Sequence, residues 1–267
     1  MPKDVKLLNH KADYKKLAFT HRKINEADVY FICNQSSKQE TFTLAFRTKN
    51  KLPEYWHTIL PSVTKLRDWY VKDSSTVVTI ELLPYQTTFI VFRDSTQLSK
   101  GEGSHNVDAV PNNAVWTSDW QLQFDTAYGG LSKPLLTKDL KDWTSYTDTS
   151  IKYYSGTVVY KNSFTLENIN WVMLSFSKIE NIATIKVNGI DCCTIFTYPY
   201  YTNISKAVKK GLNTIEIAVT NTWNNRLVLD SQLPSEKRIT YTMHPFNWSK
   251  KSLQPAGIIG EVKITSY

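Results

Sequence analysis

The sequence predicts an all-β protein of two β-sandwich modules, on three observations. Apolar and polar residues alternate over short runs in both halves of the chain. No apolar stripe of helical period extends beyond two turns, and one polar, glycine-bearing segment separates the halves. Period-two alternation gives each run one face for a core and one for solvent.

In the first half, residues 17–22 and 29–34 are short β-rich runs. Residues 40–47 alternate, placing Phe42, Leu44 and Phe46 on one face. Residues 76–83 and 88–93 follow, joined by Pro84-Tyr-Gln-Thr, the pattern of antiparallel neighbours. Residues 95–114 are polar and contain Gly101, Gly103 and Pro111. A boundary is therefore expected near residue 105, dividing the chain into modules 1–105 and 106–267.

In the second half, residues 120–124, 157–165, 171–176 and 182–187 read as strands. Asn188-Gly189 supplies the positive φ angles of a tight hairpin, and residues 192–196 return. Residues 204–211 read as one or two helical turns stopped by Gly211. Ile215, Ile217 and Val219 share a face of the next strand, and residues 260–266 close the sheet. About eight strands in two sheets describe a jelly roll, with long loops at 125–154, 197–203 and 221–248 gathered at one end.

Composition narrows the function. The chain is 41% hydrophobic and 21% charged, a globular balance, and has no run of about eighteen apolar residues to span a membrane. Its net charge is +8, but the basic residues are scattered. The densest groups, Lys206 with Lys209 and Lys210, then Lys250 with Lys251, are too short for a phosphate footprint, so neither nucleic acid nor membrane is an expected partner. Cys33, Cys192 and Cys193 are odd in number and two are adjacent, which argues against disulfides and for buried thiols. No metal or cofactor is expected: the histidines at 10, 21, 57, 105 and 244 show no ligand spacing. A structural Ca²⁺ on loop oxygens stays open, although no EF-hand-like loop announces it. The N-terminus lacks the apolar core of a secretory signal, which leaves a cytoplasmic chain or a piece of a longer protein. Sequons at Asn34, Asn203 and Asn247 matter only on secretion.

Two aromatic clusters are candidate carbohydrate sites. In the first, Trp223 would stack on a sugar while Asn224 and Arg226 donate to its hydroxyls, with Asp230 in the same candidate site. The competing reading packs Trp223 beneath the loop and pairs Arg226 with Asp230 to hold the turn. In the second, Pro199 stiffens a segment that could present Tyr198 and Tyr200 outward. Catalytic patterns are weak. Asp119, Asp125, Asp142, Asp191, Asp230 and Glu261 lie in candidate loops but show no pairing, and Ser155 with His244 lacks a nucleophile elbow.

Several sequence words resemble one family. His21-Arg22 followed by Asp28-Val-Tyr-Phe-Ile-Cys-Asn34 resembles the segment after the catalytic barrel of glycoside hydrolase family 106, the α-L-rhamnosidases. Pro53-Glu-Tyr-Trp56, Phe89-Ile-Val-Phe-Arg93, Tyr154-Ser-Gly-Thr-Val-Val-Tyr160, Val187-Asn-Gly189, Tyr198-Pro-Tyr200, Val219-Thr-Asn-Thr-Trp-Asn-Asn-Arg226 and Ala256-Gly-Ile-Ile-Gly260 follow in the family's order. The second half also resembles galactose-binding-like jelly rolls. One departure is Leu229, where the family carries glycine before Asp230, a change expected to remove backbone freedom from a loop. Glu261 also replaces the family's proline.

The family's acid, base and calcium ligands lie in an upstream β/α barrel. Only about twenty residues precede His21, against roughly 200 for a barrel. The resemblance therefore implies a non-catalytic accessory portion, structural or carbohydrate-binding, of a periplasmic or secreted parent. Its partner is a glycan or a β/α-barrel catalytic domain, with His21 and Arg22 as interdomain residues. The alternatives are a free-standing carbohydrate-binding protein and a glycan-active hydrolase using loop carboxylates. A flank once covered by a barrel would be apolar.

Overall fold

The computed structural model describes residues 4–9, 14–58, 63–103, 112–169, 171–243 and 247–266. The chain divides into two compact units, Met1–Ala109 and Val110–Tyr267. The boundary expected at residue 105 lies outside the described residues, as does His244. Both units are built from antiparallel sheets, so the chain is all-β as expected.

Unit 1 contains β1 (Val5–Leu7), β2 (Leu17–Ile24), β3 (Ala27–Asn34), β4 (Glu40–Phe46), β5 (Lys51–His57), β6 (Val63–Lys65), β7 (Trp69–Lys72), β8 (Ser75–Leu82) and β9 (Thr87–Ser95). They form a sheet in the order β1-β4-β8-β7 and a second in the order β2-β3-β9-β5-β6. Phe42, Leu44 and Phe46 from one sheet meet Tyr30, Ile32, Ile90 and Phe92 from the other in one buried cluster. Burying each such side chain contributes roughly 2–3 kcal/mol relative to exposure. β5 gives no strand signal in the sequence because it contains Pro53, which cannot donate to a ladder. The register against β9 shifts between Lys51 and Pro53, and that irregularity accommodates the proline.

Unit 2 contains β10 (Asn112–Asn113), β11 (Val115–Trp116), β12 (Trp120–Phe124), β13 (Leu135–Thr137), β14 (Thr157–Leu166), β15 (Val172–Glu180), β16 (Ile182–Val187), β17 (Ile190–Ile195), β18 (Tyr201–Asn203), β19 (Gly211–Thr220) and β20 (Gly257–Ser266). One sheet runs β10-β20-β15-β18. The other runs β13-β12-β14-β19-β16-β17, with β11 also on β14. Alternate residues of both sheets, among them Ile215, Ile217, Val219, Leu174 and Ile264, share a single core. Asn188 and Gly189 take φ of 51° and 79° in the β16–β17 hairpin.

Residues 204–211 are not helical. Ala207 N donates to Ile204 O, Ser205 N donates to Asn203 Oδ1, and two further side chains engage the backbone from 207 onward. Asn188 Nδ2 reaches Ala207 O, while Asn213 Oδ1 accepts from Lys209 N and its Nδ2 donates to Lys209 O and Gly211 O. These bonds replace the i to i−4 ladder a helix would need. The three cysteines are free and half-buried in β3 and β17, less enclosed than expected. Burial raises the pKa of each thiol, which keeps it protonated and unreactive.

Candidate functional site

The long connections of unit 2 gather at one end of its sheets. Thr220 pairs with both Thr157 and Ile182, Phe124 with Val158, and Glu180 with Gly257. The ends of these strands therefore lie side by side, and the segments 125–156, 196–200 and 221–256 emerge together.

Residues read as loop contain two helices, α1 (Thr149–Lys152) within 125–156 and α2 (Asn224–Asp230) within 221–256. Leu229 is helical there, so the position where the family carries glycine needs no special backbone freedom in this chain. Side chains join α2 and its approach to neighbouring segments. Asn221 accepts from Gly156 N and donates to Tyr154 O, both at 2.9 Å. Arg226 N donates to Ser155 Oγ. Asn225 exchanges two hydrogen bonds of 2.8 Å with the backbone of Gln254, and Asn224 donates to Ser252 O.

Arg226 and Asp230 form a buried ion pair, Nη2 to Oδ1 at 2.8 Å. Asp230 Oδ2 also accepts from Thr240 Oγ1 at 2.6 Å, Thr240 N at 2.8 Å and Ile239 N at 3.2 Å. Burial works to raise the Asp230 pKa, but the Thr240 hydrogen bonds and the Arg226 charge outweigh it and hold the carboxyl below its ordinary range. Arg226 Nε has no hydrogen-bond partner among the described residues. Gly129, at φ +75°, lies against the guanidinium, where a Cβ would come within 2.7 Å of Nη1. Trp223 is 46% exposed, with its ring in an edge contact with Tyr128 at 5.4 Å, so it does not pack beneath the loop.

Tyr198 and Tyr200 flank a cis peptide bond at Pro199, and their rings meet edge-on at 5.6 Å. Burial, with the nearby Glu180 carboxylate adding to it, raises the Tyr200 phenol pKa, so the hydroxyl remains a donor at neutral pH. Beside Tyr200 lies an open groove of about 540 Å³, lined also by Glu180, Asn181, Ile182, Phe196 and Thr222. Glu180, Asn181 and Phe196 carry no sequence signal of their own. The positive φ of Asn181, 139°, at the single-residue link between β15 and β16 becomes visible only in the structure.

Five of the six carboxylates considered for chemistry, Asp230 among them, have local roles. Asp125 and Asp142 accept from Ala127 N and Thr144 N, and Asp142 also accepts from Ala256 N. Asp191 pairs with Lys186 and Glu261 with Lys263. Among the described residues, no three His, Cys, Asp or Glu side chains gather as a metal site.

In unit 1, His21 stacks on Tyr30 at 4.1 Å, between Asp4 and Asp28 at 3.4 and 3.2 Å. It lies on the core face, whereas Arg22, one residue on, faces outward and is exposed. The sequence words around Trp56 and Arg93 converge. Buried Glu54 takes Arg93 Nε at 2.9 Å and Trp56 Nε1 at 2.9 Å, and the guanidinium lies over the Trp56 ring. Asn34 is fully buried and donates to the carbonyls of Lys38, Leu82 and Leu83, so its sequon is sealed in the folded unit.

Comparison with known proteins bears out the resemblance read from the motifs. The family model for alpha-L-rhamnosidase, glycoside hydrolase family 106, matches residues 1–67. A putative beta-glucuronidase of Formosa agariphila is 31% identical over 133 residues, 48% of this chain and 11% of that protein. A rhamnosidase from Novosphingobium sp. PP1Y matches 98% of this chain at a TM-score of 0.84 and 27% identity, using 24% of its own length. The chain is thus related to rhamnosidase and glucuronidase glycoside hydrolases, and spans about a tenth and a quarter of these two proteins.

Proposed function

We propose that the chain is the non-catalytic accessory portion of an α-L-rhamnosidase-like glycoside hydrolase. In this reading unit 1 packs against a β/α-barrel catalytic domain, and unit 2 is a galactose-binding-like jelly roll that engages carbohydrate. The observation that carries the reading is the match of almost the whole chain to a quarter of a rhamnosidase at a TM-score of 0.84.

The outer face of the sheet β2-β3-β9-β5-β6 supports the docking role. Register aligns Thr20, Phe31, Phe89 and Trp56 in one rung, and Arg22, Val29, Val91 and Glu54 in the next. Phe31 and Phe89 lie 5.3 Å apart on this face, turned away from the unit's own core. Val91 and Glu54 are already covered in this chain, and the half-buried rings of Phe31, Phe89 and Trp56 are the apolar area this face offers to another domain.

A chimera tests the reading. The Novosphingobium rhamnosidase, with its matching quarter replaced by this chain, is expected to hydrolyse an aryl α-L-rhamnoside. The same enzyme truncated of that quarter is expected to lose soluble activity. Introducing Phe31→Asp and Phe89→Asp into the chimera should abolish the recovery. Full activity of the truncated enzyme, or rhamnose release by this chain alone, would refute the accessory role.

A further inference from the structure

We propose that the groove between the β15–β16 link and the 196–200 segment binds a neutral pyranoside, with a ring face on Phe196 and hydroxyls held by Glu180, Asn181 and Tyr200. This deepens the accessory reading and rests on it for the ligand being a saccharide. The chemistry of the groove comes from its own residues.

A pyranoside presents an apolar C–H face and a rim of hydroxyls, so its site needs a flat ring beside convergent, unsatisfied polar groups. Phe196 is 61% exposed and lies outside the buried core of unit 2. Ile182, also exposed, widens the apolar floor. Neither the Asn181 carboxamide nor the Tyr200 hydroxyl has a hydrogen bond among the described residues. Glu180 gives Oε1 to Lys178 at 2.5 Å and leaves Oε2 open. Asn221 and Thr222, lining the same groove, are already engaged by Tyr154, Gly156 and Gln254, and they fix its wall. Asn181 stands at φ +139°, where an asparagine is strained and a glycine would not be. Asn181 is exposed and lines the groove, so its carboxamide is open to a ligand. The one carboxylate of the lining is already paired with Lys178, so the groove offers no free cation to a uronate carboxylate.

The test is saturation-transfer NMR titration of the full chain with methyl α-L-rhamnopyranoside, methyl α-D-glucopyranoside and sodium glucuronate, alongside thermal melting. Saturable binding of at least one neutral glycoside is expected, with glucuronate weaker by about fivefold or more. Phe196→Ala should weaken that binding by about tenfold with an unchanged melting temperature. Asn181→Gly should raise the melting temperature while weakening binding by a similar factor, a combination that a purely structural asparagine would not give. No saturable signal from either neutral glycoside, glucuronate binding as tight as theirs, or affinity unaltered in both variants would overturn the proposal. The chimera separates the two readings. Failed binding with an active chimera removes the groove alone, whereas sound binding with an inactive chimera removes the accessory role and leaves the groove.

Discussion

Arg226 and Asp230, with side chains 10% and 3% exposed, are the charged pair on which the loop end of unit 2 depends. Removing one partner strands the other charge away from water, at about 3–5 kcal/mol. Arg226→Ala is expected to lose about 3 kcal/mol or more, read as a lower urea midpoint at unchanged slope. Trp223→Ala, at a half-exposed ring, should stay within about 1 kcal/mol. The depressed pKa of Asp230 gives a pH dependence of definite sign. The unfolded carboxyl takes up a proton near pH ~4 and the folded one only below that, so this stabilisation is complete above pH ~4 and is lost as pH falls through the folded value. Melting temperatures between about pH 5 and pH 2 should decline, and Asp230→Asn should flatten that decline. The sequence marks residues 223–226 as a cluster because Trp, Asn and Arg concentrate there. The pairing of Arg226 with Asp230 is legible in it and holds at 2.8 Å, whereas the helix that sets it at i, i+4 and the half-exposed Trp223 are not. Glu180, Asn181 and Phe196 are not legible either, since the one-residue link between β15 and β16 and the pairing of Ala183 with Ile195 bring the ends of β15 and β17 together.

At the level of elements, alternation identifies strands wherever one face is buried, as in β4, β14, β16 and β19. It fails where another force sets the backbone. Pro53 masks β5, side chains of Asn188 and Asn213 replace a helix at 204–211, and α2 forms although Asn224, Asn225 and Asp230 are poor helix formers, because these residues are bonded to other segments. Turn chemistry is legible at Asn188-Gly189, and it yields a graded prediction. Gly189 has φ +79°, and a Cβ added there would meet nothing within 4 Å, so Gly189→Ala brings only conformational strain, about 1–2 kcal/mol. At Gly257, φ +97°, a Cβ would fall 2.3 Å from Trp143 Nε1. Trp143 is fully buried and donates to Tyr160 OH at 2.6 Å, so it has nowhere to retreat. Gly257→Ala is expected to destabilise at least twice as much as Gly189→Ala, by comparison of thermal midpoints.

At the scale of the whole molecule, each unit encloses a buried cluster of its own among the described residues: Phe42, Tyr30 and Phe92 belong to one, Trp143, Tyr160 and Ile217 to the other. A unit that buries its own apolar face from two opposed sheets meets the requirement for folding alone. Residues 110–267 produced separately are therefore expected to show a β-type circular dichroism spectrum and one cooperative thermal transition. Arg226→Ala should lower that transition about as far as it lowers the corresponding one in the full chain, because the residues it disturbs all lie in this unit. Phe42→Ala, which opens a cavity in the first unit's core, should reduce stability there by about 3–5 kcal/mol in the full chain. A gradual, non-cooperative melt of 110–267 would mean that the two opposed sheets do not suffice, and that the second core forms only when the rest of the chain is attached.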